Sequence, residues 1–140
     1  VCDHAKLIQT DTNLVPRVVS LSANIPMMTA IANDISYDDI FVYQLRSSAR
    51  LGDVLLSVSS SGDSENIVQA AAWARQNKLE VIAFTGFDGG RGGKLASVHV
   101  HVEADNYGVI EDTHQSLMHI LAHFIRQNRM SEDLIAARKF

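Results

Sequence analysis

The chain has 140 residues, 46% apolar and 20% charged with two prolines, which is the length and composition of one globular domain spanning 1–140 rather than two. Sixteen acidic side chains against twelve Lys and Arg leave a net charge of −4 with no basic tract, so a nucleic-acid partner is disfavoured. The single Cys2 excludes a disulfide framework and a four-cysteine zinc site, no apolar run reaches the ~18 residues of a membrane helix, and the first residues lack the basic, apolar and small-residue regions of a signal peptide, which makes the cytoplasm the expected compartment.

Residues 1–8 read as a helix with no start signal and no initiator methionine ahead of it, which points to missing upstream residues. Behind Pro16, residues 17–22 (RVVSLS) form a β-branched run that reads as a strand buried on both faces. Asn24 then caps a helix that tolerates Pro26 in its first turn, buries Met27, Met28, Ala30 and Ile31, and ends at Asn33-Asp34. A second amphipathic piece starts near Asp38, turns Ile40, Phe41, Tyr43 and Leu45 inward, and stops at Gly52. Residues 53–57 (DVLLS) are a strand, 59–64 (SSSGDS) a polar turn, and 65–77 an alanine-rich helix offering Ile67, Val68, Ala71 and Trp73 to the core. The pattern repeats with a strand at 80–85, a glycine-dense turn at 86–93, a short helical turn at 94–96 and a strand at 97–102 (SVHVHV). A long helix follows, with Ile110, Thr113, Leu117, Ile120, Leu121 and Phe124 at helical spacing, and Ser131 opens a polar tail helix reaching Phe140.

Strands alternating with helices imply parallel pairing through right-handed crossovers, hence an α/β three-layer sandwich. Such sheets bind ligands at the carboxyl ends of their strands, which directs attention to the turns after Ser22, Ser57, Thr85 and Val102. In the second of these, Ser59, Ser60, Ser61 and Ser64 surround Gly62 at the entry to a helix. Amides and hydroxyls converging there suit a phosphate dianion, although a capped β-to-α turn would use the same residue types. Asp63 and Glu65 weigh against an anion, since both carboxylates would repel it. No P-loop lysine and no dinucleotide three-glycine spacing is present. Gly89-Gly90-Arg91-Gly92-Gly93 could approach a phosphate, but reads better as a flexible surface loop. His119 and His123 at i and i+4 could clamp a metal or face a packing surface. His99 and His101 share one face of a half-exposed strand, and His114 reads as structural.

Four runs together resemble the sugar isomerase (SIS) domain family and, within it, the phosphoheptose isomerases: 21–41 (LSANIPMMTAIANDISYDDIF), 52–68 (GDVLLSVSSSGDSENIV), 81–90 (VIAFTGFDGG) and 110–121 (IEDTHQSLMHIL). The resemblance implies a five-stranded, parallel, flavodoxin-like sheet, a homotetramer with shared sites, and a sugar phosphate as ligand. It assigns Ser59, Ser60, Ser61 and Ser64 to phosphate binding, Asn33 and Asp34 to substrate contact, and His119 to catalysis and metal binding. Glu111, assigned to substrate and metal contact, stands in the place of a Gln that the family uses on the same helix, and Asp3 stands where it has a catalytic Glu. The family's N-terminal strand and helix, a further metal-binding His and part of the sugar pocket would fall ahead of Val1.

The implied reaction interconverts sedoheptulose 7-phosphate and a manno-heptose 7-phosphate for lipopolysaccharide or capsule heptose. It needs a base and an acid, for which His119 with Asp3 are suited, and zinc held by His119, Glu111 and Asp3 would polarise the carbonyl. Glu111 and His119 lie about 12 Å apart on a straight helix, which favours their contribution from different subunits. The alternative is a noncatalytic SIS module that binds a sugar phosphate or a protein partner, like the DnaA initiator-associating proteins. Asp3, Glu111 and the loop 106–109 (NYGV), which lacks the charges many isomerases carry there, are its support.

Overall fold

The computed structural model describes residues 1–139, and the chain divides into two compact units: 21–114, and 1–20 together with the chain from Gln115 onward. The first is built on three parallel strands, β1 (Val54–Val58), β2 (Glu80–Thr85) and β3 (Val98–His101), with β2 central. Leu56 pairs with Ile82 and Ala83 with His99. β2 buries Val81, Ala83, Phe84 and Thr85, as a parallel strand covered on both faces should. On one face α3 (Glu65–Gln76) lays Ala71 and Ala74 against Val81, with Leu55 and Trp73 packed around them. At the alternate position Phe84 meets the His114 ring at 5.9 Å, on the opening turns of α5 (Tyr107–Gln127). Helices thus lie on both sides of the sheet, the α/β arrangement expected from the alternation.

α1 (Ile25–Asp34) starts as its sequence requires, since the Asn24 side chain accepts from the Met27 amide at 3.1 Å. Of its apolar stripe only Ile31 is buried, and Met27 is exposed. A 3-10 turn, Tyr37–Asp39, leads to α2 (Val42–Ser48); Ile40, Val42 and Leu45 are buried while Tyr43 faces outward. α2 ends before Gly52, because Ala49 turns extended and the Asp53 carboxylate takes the Arg50 amide at 2.9 Å. Gly52 serves instead in the turn into β1.

The segment 17–22 alternates in exposure but forms no strand of the sheet. Its β-branched residues specify an extended backbone, whereas a ladder also needs a second backbone in register, and the segment straddles the boundary between the two units. In α3 the core is made by Ala70, Ala71 and Ala74, with Ile67, Val68 and Trp73 only half-buried, because the small alanines let the helix approach the sheet most closely.

The glycine-dense segment is no surface loop. It forms α4 (Gly90–Leu95), with Gly90, Gly92 and Gly93 buried. Gly90 has φ +58°, and a methyl group there would collide with the Ser61 carbonyl and stand 2.7 Å from the Gly62 oxygen. Gly62, at φ +62°, is equally crowded by the Gly89 carbonyl at 2.6 Å. The glycines therefore allow two backbones to touch, which is a packing requirement rather than a need for mobility.

In the second unit, Asp3–Leu7 is a π-helix, within the helical stretch expected there. The later turns of α5 bury Ala122 and Arg126, but Ile120 and Phe124 of the expected apolar stripe are 61% and 65% exposed. Arg126 donates to the Thr10 carbonyl at 2.9 Å and to Asp11 at 2.7 Å, and the other Asp11 oxygen accepts from Arg138 at 2.8 Å. Ser131 caps α6 (Glu132–Ala137), and Phe140 lies outside the described residues. No helix among the described residues is long and apolar enough to cross a membrane.

Because Gly90 combines a left-handed backbone with two close carbonyls, Gly90→Ala should lower stability by roughly 2–4 kcal/mol, read as a reduced urea midpoint with an unchanged slope.

Candidate functional site

The turn at 59–64 leaves the carboxyl end of β1 and enters α3, and neighbouring backbone pins it. Ser59 N donates to Phe84 O at 3.0 Å, Gly86 N to Ser60 O at 2.7 Å, and Gly92 N to Gly62 O at 2.7 Å. The hydroxyls have different partners. Ser59 Oγ accepts from Gly62 N at 3.2 Å, Ser61 Oγ accepts from Asp63 N at 3.3 Å, and Ser60 donates to Glu111 Oε1 at 3.3 Å. Ser64 is the N-cap of α3, yet its hydroxyl makes no capping bond and it lies exposed. The first amides of α3 have no intrahelical acceptor and the positive end of its dipole faces the turn, so the turn can receive an anion.

The two carboxylates that argue against an anion are themselves engaged. Arg91 donates from Nε to Asp63 Oδ1 at 2.7 Å and from Nη1 to Glu65 Oε2 at 2.9 Å. Its hydrogen bonds hold the Asp63 carboxyl below the usual carboxylate range, and the two acids push the guanidinium up. Beside the turn opens a cleft of about 310 Å³ lined by Ser61, Asp63, Phe87, Arg91, Lys94 and Tyr107. Asn33 and Asp34 are exposed at the end of α1, where the Asn33 amide donates to Asp34 Oδ1 at 2.7 Å.

In the other unit, His119 on α5 pairs through Nδ1 with the Asp3 carboxylate, joining the two residues that the resemblance marks for proton transfer. Its Nε2 meets the side-chain amide of Gln115 at 2.9 Å. Sequence reading overlooked Gln115; its i−4 spacing from His119 was the available signal. His4, also overlooked, buries an Nε2 that has no hydrogen-bond partner, and burial is the largest cause of its lowered pKa. His114 is buried with Nε2 on the Thr85 carbonyl at 3.1 Å, a structural role, and His123 is half-buried on α5. His99 and His101 stack at 5.5 Å, with Nε2 of His99 on Thr85 Oγ1 at 2.6 Å and Nε2 of His101 on the Phe87 carbonyl at 2.8 Å.

Among the described residues, no group of three or more His, Cys, Asp or Glu converges as a metal-binding set. Asp3 and His119 meet, while Glu111 accepts from Ser60. Two donors are short of the three protein ligands of a catalytic zinc, and both nitrogens of His119 already have protein partners. These residues do not complete a zinc site, and no step below runs through one.

The family model of the SIS domain matches residues 5–86. A phosphoheptose isomerase of Dechloromonas aromatica is 39% identical over 106 residues, covering 74% of this chain and 54% of its own. A probable phosphoheptose isomerase of Thermoplasma acidophilum is 35% identical over 107 residues, 76% of this chain and 59% of its own. The solved phosphoheptose isomerase of Neisseria gonorrhoeae superposes with a TM-score of 0.78 at 31% identity, over 88% of this chain and 69% of that one. That of Francisella tularensis gives 0.81 at 29% identity, over 89% and 68%. The chain spans about half the length of the curated relatives it matches.

Burial, then the neighbouring His101, lowers the pKa of His99 below 6.5. The unfolded chain therefore binds the His99 proton more readily, so this group's contribution is full above pH ~6.5 and is lost as pH falls through that region. Chemical denaturation at a series of pH values should show the decline, and His99→Gln should flatten it. Histidine NMR titration should place His99 below the free imidazole.

Proposed function

This chain belongs to the SIS domain family, and from that premise we propose that it serves a ketose–aldose phosphate isomerase acting between sedoheptulose 7-phosphate and D-glycero-D-manno-heptose 7-phosphate. The observation that carries the reading is the Asp3–His119 pair. Two residues far apart in the chain, each matched to a proton-transfer position of the family, lie in hydrogen-bond contact. Asp3 accepts the Nδ1 proton, which fixes the neutral tautomer with its lone pair on Nε2. That nitrogen is the base: once Gln115 turns aside, it takes a proton from the carbon next to the ketose carbonyl and returns it to the former carbonyl carbon, while a hydroxyl proton passes through water from the neighbouring oxygen to the carbonyl oxygen, so that the protons balance. Within the unit 21–114, and as a separate part of the reading, the serine turn is the seat for a phosphate through hydroxyls and helix amides, and Asn33 and Asp34 are contacts for sugar hydroxyls.

Self-association into a homotetramer is part of the same reading, supported by the exposed Ile120 and Phe124 one turn apart on α5. A cytoplasmic place in the supply of heptose for lipopolysaccharide or capsule follows from the substrate.

The test is proton exchange on sedoheptulose 7-phosphate in deuterated water, using the protein that carries this chain, with and without added zinc. Label should enter the carbon that exchanges, and His119→Gln should slow it by about 10²-fold or more. No incorporation in either condition would leave the noncatalytic sugar-phosphate module. Ser61→Ala with Ser64→Ala should weaken sugar-phosphate binding by about 1–3 kcal/mol in calorimetry, the loss expected for hydrogen bonds to a charged group.

A further inference from the structure

A turn proposed to hold a phosphate dianion is flanked on either side of Ser64 by carboxylates. The macrodipole of α3 welcomes Asp63 and Glu65, but each would repel a dianion in the same place by about 1 kcal/mol per unit-charge pair at 4 Å in water. Arg91 answers both. From the first turn of α4 its guanidinium makes three bonds: Nε to Asp63 Oδ1 at 2.7 Å, Nη1 to Glu65 Oε2 at 2.9 Å, and Nη2 to the Asp63 carbonyl at 2.8 Å. Its own amide gives Asp63 Oδ1 a fourth at 3.2 Å. One planar fork thus spans two carboxylates and a carbonyl, which the compact ammonium of a lysine could not do. The buried glycines beside it bring α4 close enough for the reach. Lys94, one turn later, lines the same cleft and adds to the pull on Asp63.

We propose that Arg91 is a positioning residue for phosphate: it draws the Asp63 and Glu65 carboxylates toward α4 and offsets their charge, so that the amides and hydroxyls of the serine turn meet an anion without opposition. It is not itself a phosphate ligand, because its fork is already committed. The inference rests on the phosphate reading of the turn, and it makes affinity depend on a residue outside that turn.

Calorimetry with sedoheptulose 7-phosphate and with inorganic phosphate, at low and high salt, tests it. Arg91→Leu should bind roughly 3- to 10-fold more weakly at low salt, and the deficit should shrink at high salt as the carboxylates are screened. Adding Asp63→Asn and Glu65→Gln to Arg91→Leu should restore affinity to within about twofold of the wild type. Asp63→Asn with Glu65→Gln in the presence of Arg91 should bind about threefold more tightly, since the guanidinium is then unopposed.

Wild-type affinity in Arg91→Leu, or a triple variant that stays weak while folded by circular dichroism, would overturn the proposal and leave the phosphate reading standing. A wild-type protein that binds neither probe would overturn both. Should Arg91→Leu fail to fold, the Asp63→Asn/Glu65→Gln protein decides, and unchanged or weaker binding there counts against the proposal.

Discussion

The backbone contact between the serine turn and the glycine helix constrains everything else in unit 21–114. Gly62 accepts from Gly92 at 2.7 Å, and the space that permits this exists only because positions 90 and 92 carry no side chains. With the turn also tied to β2 through Phe84 and Gly86, its amides cannot drift as they would in an ordinary connection. A rigid cluster of donors loses little entropy on meeting an anion, which is what preorganisation means for a small, strongly hydrated ligand. The same contact places Arg91 opposite Asp63, so the geometry of the donors and the balance of charge around them have one origin.

In the other unit the Asp3–His119 pair has a different logic. A carboxylate on Nδ1 orients the imidazole, and Gln115 occupies Nε2 in the present arrangement. Gln115 is an amide, not a charged group, so its hold on Nε2 is easily exchanged for a substrate or a water.

Much of this was legible in the sequence, and the misses have physical causes. β1, β2, β3 and α3 could be located because β-branched runs bounded by turn residues and an alanine-rich periodic stretch are local signals. Asn24 announced its helix because capping is local too. Residues 17–22 misled, since pairing is a property of two segments and the alternation describes only one. The glycine run misled for the complementary reason: glycine marks flexibility or close approach, and only the facing backbone of Gly62 distinguishes them. Asp63 and Glu65 looked hostile to an anion because Arg91, 28 residues beyond Asp63, could not be placed against them from spacing. The serine turn itself was readable, being a composition and a position at once.

The buried Arg126 holds Thr10 and Asp11 across sequence separations of 116 and 115 residues. Such bonds close a very long loop, and their entropic cost must be met before they return anything. Because synthesis runs from the amino end, the bonds of Thr10 and Asp11 to Arg126 form only after α5 has been made. The strands and α3 of the other unit have near neighbours in sequence and can assemble first. The contact of Asp3 with His119 has the same dependence, so a pair that lies 116 positions apart along the chain is made only once α5 is in place.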